Sequence, residues 1–323
     1  MENIQKKRNG EIELLRILFC LAVVGTHLNA YFKPEMFKEG VFAVEFFFLV
    51  SGYFMAKSAE RAESLTFGDT MSFLSRKFKS FFPYYIVSVL IYFIVYRVIL
   101  LHISLSETIT GALYLIPEMM FLQMGGFATE SVLNIPAVWY LSAMMISMLV
   151  LYPIAVRFRK SYGIIFLIGA IFGLGYLIRL HGGYIAVFRT TDAGLLYDGM
   201  LRGLCETALG AFCYQFSMFI KRDISKLKKI LLTAVKYACY IVTLVFVFSN
   251  FGNKYQPVVL VILTCAFILT TSEIAYNIPY CKFVAFCGRF SLPLYLFHSV
   301  VFRCIYIYIQ KKGANGRHRR QMC

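Results

Sequence analysis

Long apolar runs dominate the chain, and their lengths predict helices that cross a membrane. A crossing helix needs about 20 predominantly apolar residues, and a helix satisfies its own backbone hydrogen bonds in lipid. The runs that approach this length lie at 12–31, 41–56, 82–101, 137–156, 162–180, 199–219, 230–249, 257–275 and 283–309. The pattern predicts an all-α fold, a polytopic transmembrane helix bundle of nine to ten spanning helices with short loops.

One further apolar run, at 112–124, is too short to span and contains Pro117 and Glu118. Basic residues decide its status, because cytoplasmic loops retain Lys and Arg. If this run does not cross and the N-terminus is cytoplasmic, the main basic stretches share the cytoplasmic side. These stretches lie at 6–8, 76–79, 157–160 and 221–229. We therefore predict an interfacial or re-entrant segment at 112–124, in a multi-pass integral protein of the plasma membrane with a cytoplasmic N-terminus.

The C-terminal tail conflicts with this orientation. Nine spans leave residues 311–323 outside, although that segment is rich in Lys and Arg. The sequence thus predicts a single membrane-embedded domain at 11–310, followed by a basic tail at 311–323. We expect either a miscounted span or a chain truncated before a last helix.

Composition supports the membrane assignment and restricts the partners. The chain is 59% hydrophobic and 15% charged, with a mean hydropathy of +0.67, beyond the range of soluble domains. Its net charge of +16 is divided among short stretches between apolar runs, which favours lipid headgroups over nucleic acid. The nine cysteines show no C-x-x-C spacing and are typical of apolar packing residues. We predict the lipid bilayer as a partner, no nucleic acid, and no metal.

The first apolar run carries charged and titratable residues on one helical face. Arg16 and His27 are eleven residues apart, which on a helix places them about 20° from eclipsed and roughly 16 Å apart along the axis. Glu13 lies three residues before Arg16, on the same side. Taken singly, Arg16 could be a snorkelling anchor and His27 a structural histidine. Together they predict a face that looks into the bundle or a water-filled cavity.

The second run adds a carboxylate among phenylalanines. Glu45 lies within VFAVEFFFLVSGYF, where it needs a partner such as Arg or His. Ser51 and Gly52 allow the backbone to approach something closely, either a neighbouring helix or a ligand.

Three other segments allow both a structural and a functional interpretation. The basic stretch at 76–79, just before Pro83, suits either a positive-inside loop or an anionic-ligand site. Trp139 suits an interfacial belt. His298 lies inside an apolar run, as either a packed histidine or a cavity residue.

Five of these elements, taken in order, resemble acyltransferase family 3 of integral membrane O-acyltransferases, many of which acetylate cell-surface glycans. They are the Arg-x10-His spacing of Arg16 and His27, EFFFLVSGYF at 45–54, the basic stretch before PYY at 83–85, WYLS at 139–142 and SLPLYLFH at 291–298. Their order and spacing agree from about residue 10 to residue 300, nearly the whole chain.

The resemblance implies an enzyme that moves an acetyl group from cytoplasmic acetyl-CoA, the acyl donor, to a hydroxyl of a cell-surface or lipid-linked glycan. It implies His27 as the catalytic histidine, with Arg16 as its essential partner on the same helix. Arg76, Lys77 and Lys79 would bind the phosphates of CoA. The residues expected along the substrate path are Ser51, Gly52, Tyr53, Trp139, Tyr140, Tyr295 and His298.

The chemistry of acyl transfer agrees with these roles. A neutral imidazole can deprotonate the attacking hydroxyl, and Glu45 is a candidate third catalytic residue that would fix the tautomer of His27. Transfer through a covalent acyl-enzyme is also open. A transporter or exporter of a glycan or small metabolite is the alternative function, because polar residues around a cavity equally mark a transport path. A non-catalytic membrane scaffold or sensing domain is a third interpretation.

Overall fold

The computed structural model describes residues 8–32, 36–62, 66–95, 104–125, 139–188, 190–192 and 197–321, and within these ranges it is helical without strands. The described residues form ten α-helices: α1 (Gly10–Phe32), α2 (Val44–Ala59), α3 (Phe67–Ile91), α4 (Leu105–Met119), α5 (Trp139–Arg157), α6 (Tyr162–Leu180), α7 (Asp198–Phe219), α8 (Lys226–Val247), α9 (Gln256–Thr271) and α10 (Lys282–Gln321). The all-α membrane bundle is therefore confirmed.

The predicted count of nine to ten spans is not confirmed. Seven described helical segments are long and apolar enough to cross a membrane: Lys38–Ala59, Phe67–Val95, Trp139–Arg157, Tyr162–Leu180, Lys226–Val247, Asn253–Thr271 and Lys282–Gln310. Helices α1 and α7 have spanning length but are not among the seven. Both contain several charged residues, which are paired inside the bundle as described below.

Several predicted boundaries shift. The run expected at 82–101 belongs to α3, which begins earlier, at Phe67. A capping box between Thr66 and Asp69 fixes that start.

Positions 96–101, 137–138 and 6–7 of the predicted segments lie outside the described residues. Helix α4 covers the start of the 112–124 segment and has 15 residues, about 22 Å. It is shorter than a bilayer core, and its interfacial or re-entrant placement stays a prediction.

Helices α2 and α7 pack closely against each other in the interior. A Cβ on Gly52 would lie 1.9 Å from the carbonyl oxygen of Thr207, and one on Gly210 would lie 2.1 Å from that of Leu49. These glycines therefore let the two backbones touch, as small residues do in membrane bundles. The close approach predicted at Ser51-Gly52 is to a neighbouring helix.

Helices α1 and α10 pack side by side and run in the same direction. The thiol of Cys20 donates to the carbonyl of Ser291 at 3.2 Å, and Nε of Arg303 donates to the hydroxyl of Tyr31 at 2.8 Å. This pairing brings the far end of α1 against the middle of α10, although the two helices lie at opposite ends of the sequence.

Candidate functional site

The two histidines that lie in apolar runs meet at the contact between α1 and α10. The ring centroids of His27 and His298 are 5.0 Å apart, with the planes tilted by 42°. His298 is buried with 4% of its surface exposed, and His27 is half-buried. The sequence marked both residues separately, and the fold makes them one pair.

Hydrogen bonds fix the ring of His298. Its Nδ1 lies 2.7 Å from the carbonyl oxygen of Tyr295, and because a carbonyl only accepts, Nδ1 carries the proton and donates. In the neutral ring Nε2 then accepts, and the hydroxyl of Ser299 lies 3.1 Å from it as the donor. Both nitrogens of His298 are thus occupied. Among the described residues, His27 has no hydrogen-bond partner on its ring, so its nitrogens are the available ones of the pair.

A row of aromatic side chains leads from His298 into the centre of the bundle. The ring of Tyr295 lies 6.1 Å from that of His298 and 6.0 Å from that of Tyr140. The hydroxyl of Tyr140 donates to the carbonyl of Phe47 at 3.1 Å and lies 2.9 Å from the hydroxyl of Ser51. Three residues predicted along the substrate path, Ser51, Tyr140 and Tyr295, therefore form a continuous series of side-chain contacts that reaches the histidine pair.

Arg16 lies beyond Tyr140, nearer the start of α1. Its Nη1 donates to Oε2 of Glu13 at 3.4 Å, and its guanidinium lies 5.8 Å from the centroid of Phe54. It is also close enough to Tyr140 and to Lys77 to interact with them electrostatically. The predicted face of α1 thus carries Arg16 at one end and His27 at the other, with Tyr140 and Tyr295 packed alongside.

The three cations predicted to bind CoA phosphates lie in the first half of α3. Lys77 is half-buried near Arg16, whereas Arg76 and Lys79 are exposed. They are not gathered around one point by any described hydrogen bond. Their assignment to CoA stays a prediction.

Glu45 pairs with Arg202, an arginine outside the motifs of the first two apolar runs. Nη2 of Arg202, on α7, donates to Oε1 of Glu45 at 2.7 Å, and its Nε donates to Oε2 at 3.1 Å. Nε also lies 3.3 Å from Oε1 of Glu206, and the guanidinium lies 5.1 Å from the Trp139 ring centroid. All three charged side chains are fully buried. The contacts of Glu45 are therefore those of a structural ion pair, and they do not support the expectation that it orients His27.

The remaining predicted path residues lie apart from the histidine pair. Gly52 packs against α7. The ring of Tyr53 makes edge-to-face contacts with the rings of Tyr214 and Phe267, with centroids 5.3 and 5.7 Å apart. The guanidinium of Arg202 lies over the ring of Trp139, which stacks on Phe188 at 5.8 Å, so Trp139 belongs to the ion-pair cluster.

Arg202 and Ser299 are the site residues that sequence reasoning missed. Arg202 could have been found, because it and Glu206 are charged residues four apart within an apolar run, a spacing that places them on one helical face. Ser299 follows His298 directly but carries no signal, since a serine in a membrane helix more often bonds its own backbone.

The connection between α6 and α7 holds a compact polar cluster. Ligand atoms of His181, Asp192 and Asp198 all lie within 4.8 Å of one another. Nε2 of His181 lies 2.9 Å from Oδ2 of Asp198, and the hydroxyl of Thr190 donates to the same oxygen at 2.5 Å. His181 and Thr190 thus both bond Asp198 at the start of α7, whereas Asp192 is exposed and lies 3.9 Å from Nδ1 of His181.

Comparison with known proteins identifies the family. Neither a search of curated proteins nor a search of solved structures finds a match. A family model described as an acyltransferase domain matches residues 9–317, a range that includes both His27 and His298. The chain therefore belongs to acyltransferase family 3, a family of membrane acyltransferases.

Proposed function

We propose that the protein is a membrane O-acyltransferase that moves an acetyl group from cytoplasmic acetyl-CoA to a hydroxyl of a cell-surface or lipid-linked glycan. The observation that carries this proposal is the pairing of His27 with His298 at 5.0 Å, on a helix whose opposite end carries Arg16. Family membership supports acyl transfer. The acetyl donor, the glycan acceptor and the cytoplasmic side of the donor are parts of the proposal.

His27 is proposed as the general base. The hydroxyl of the acceptor attacks the thioester carbonyl, its proton passes to an imidazole nitrogen, the carbon–sulfur bond breaks, and the CoA thiolate takes up a proton. Both nitrogens of His298 are already engaged, by Tyr295 and Ser299, whereas those of His27 have no described partner. His298 therefore serves to position His27, against which its ring packs. The same availability of His27 is compatible with an acyl-enzyme intermediate on its ring.

Arg16, Arg76, Lys77 and Lys79 are proposed to attract the anionic donor. Lys77 is half-buried and close enough to Arg16 for the two like charges to interact, and Glu13 is the carboxylate that contacts Arg16, so a ligand with several negative charges would add the compensation that the two cations lack. Cations in a partly buried site attract phosphate strongly. Such a donor would enter where α1 begins, with its acyl group directed along Tyr140 and Tyr295 towards the histidines.

The test is acetyl transfer by the full-length protein and its His27→Ala variant in lipid nanodiscs, with labelled acetyl-CoA and glycan from cells that lack the gene. A positioned base contributes about 10²- to 10⁴-fold to rate, so we expect a loss of that size while the protein still inserts. The control is Tyr176→Ala, which removes an exposed aromatic side chain of α6 and should leave acetyl transfer unchanged. Undiminished transfer by His27→Ala would overturn the assignment. A wild-type protein that moves glycan across the bilayer without acetylating it would support the transporter alternative.

A further inference from the structure

A cavity of about 930 Å³ lies at the end of the bundle where α1 begins. Its walls come from the start of α1, the end of α2, the starts of α8 and α10, and the segment 271–280 that links α9 to α10. This volume is within the usual range of pockets for small molecules and cofactors. We call this cavity the basic pocket, because of the four cations Arg8, Lys57, Lys229 and Arg289 that line it.

The basic pocket is positively charged. Its carboxylate Glu273 pairs with Arg222 at 3.0 Å, so that charge is already compensated. Among the described residues, Arg8, Lys229 and Arg289 have no ion-pair partner. A cavity with unpaired cations on several walls is suited to an anion that carries more than one charge.

The basic pocket also presents aromatic surface. Tyr53, Tyr276 and Tyr280 contribute to its lining. The ammonium of Lys229 lies 4.7 Å from the centroid of Tyr276, and that of Lys57 lies 5.9 Å from the centroid of Tyr53. Cations hold phosphate groups, and aromatic faces stack on nucleobases. A phosphorylated nucleotide uses both features, whereas a lipid phosphate needs only the cations.

One wall of the basic pocket is held in place by a buried ion pair. Lys236 is fully buried and donates to Oε2 of Glu11 at 3.1 Å and to the carbonyl of Tyr276 at 2.7 Å. The same carboxylate oxygen accepts from the backbone amide of Ile278 at 2.9 Å. The segment that carries Tyr276 and Tyr280 is thereby fixed to α1, and a preformed site loses less ordering entropy when a ligand binds.

We propose that the basic pocket binds the 3′-phosphorylated adenosine end of the acyl-CoA donor. This inference rests on the proposed function. Tyr53 lines the pocket, and the next residue, Phe54, lies under the guanidinium of Arg16. The pocket and the Arg16 face are therefore neighbours around the end of α2. A ligand whose nucleotide lies in the pocket can direct its acyl arm past Arg16 towards His27.

The experiment measures binding of adenosine 3′,5′-bisphosphate, which has the charged nucleotide end but no thioester, to the full-length protein in nanodiscs of neutral lipid. Variants Lys229→Glu and Arg289→Glu reverse exposed or half-exposed charges of the pocket. Matched controls are Lys228→Glu and Lys282→Glu, exposed cations on the same two helices that do not line the pocket. Loss of a charged contact weakens binding by about 10-fold or more, and we expect that for each pocket variant and no change for the controls.

Other results would overturn the inference. Equal affinities across all variants would show that the nucleotide does not bind in the basic pocket, and so would a loss confined to Arg76→Glu and Lys79→Glu. Neither result would contradict the proposal that the protein transfers acetyl groups. If the wild type does not bind the bisphosphate but binds anionic-lipid vesicles through Lys229 and Arg289, the pocket is a headgroup site. Because this binding needs no acetyl transfer, a failure of the proposed function would appear separately, as bisphosphate binding by a protein without transferase activity.

Discussion

The imidazole rings of His27 and His298 lie 5.0 Å apart, although the two residues are near opposite ends of the chain. His298 is hydrogen-bonded through both nitrogens, and His27 is the member of the pair with nitrogens available. This difference leads to different expectations for the two residues.

Replacing His298 by Ala removes the ring that packs on His27 and leaves His27 free to move. A misplacement of about 1 Å in an active site costs on the order of 10²-fold in rate. We expect kcat for acetyl transfer to fall by that order while KM for acetyl-CoA is unchanged, because the donor's nucleotide is held elsewhere. Ser299→Ala removes one donor to Nε2 and should cost only a few-fold. A wild-type kcat in His298→Ala would contradict the positioning role.

The contact between α2 and α7 should be sensitive to the loss of any one member of the buried cluster of Glu45, Arg202 and Glu206. Removing one partner of a buried ion pair leaves an uncompensated charge and costs about 3–5 kcal/mol. We expect Arg202→Met to lower the thermal midpoint in detergent markedly. The control is Arg222→Ala, which breaks the exposed pair with Glu273 and should cost about 1 kcal/mol at most. Similar effects from both variants would refute the assignment.

Gly52 should tolerate no side chain. An added Cβ would lie 1.9 Å from the backbone oxygen of Thr207, so Gly52→Ala forces α2 and α7 apart, and overpacking of this kind costs about 1–3 kcal/mol or more. Gly169→Ala is the matched control, because a Cβ there has no neighbour within 4 Å. It should be neutral or slightly stabilising, since Ala favours helix. Thermal unfolding of both variants in one detergent checks the difference.

The pair of Lys236 and Glu11 should show strong energetic coupling. Lys236→Met leaves the buried carboxylate of Glu11 without its cation and should destabilise the protein by about 3–5 kcal/mol. Adding Glu11→Gln removes that charge, so the double variant should recover much of the loss. A double variant no more stable than Lys236→Met would show that the pair is not coupled. Loss of the pair should also weaken nucleotide binding, because it fixes one wall of the basic pocket.

Periodicity along the chain was enough to predict much of the fold and part of the site. The lengths of the apolar runs indicated a membrane helix bundle, and the eleven-residue spacing placed Arg16 and His27 on one face of α1. The need for a cationic partner of Glu45 also followed from its apolar surroundings. These are properties of single helices, which the 3.6-residue repeat determines without reference to other segments.

Contacts between helices decided the rest. The packing of α1 against α10 brings the ring of His27 into contact with that of His298. The packing of α2 against α7 places Glu45 in an ion pair with Arg202 and not in contact with His27. The basic pocket joins residues from α1, α2, α8 and the stretch that runs from the end of α9 into α10, which are distant in sequence, so no local pattern could reveal it. A sequence repeat states which face of a helix is polar. Which polar faces meet is set by how closely the backbones approach at glycines such as Gly52, and by ion pairs between helices such as those of Glu45 and Lys236.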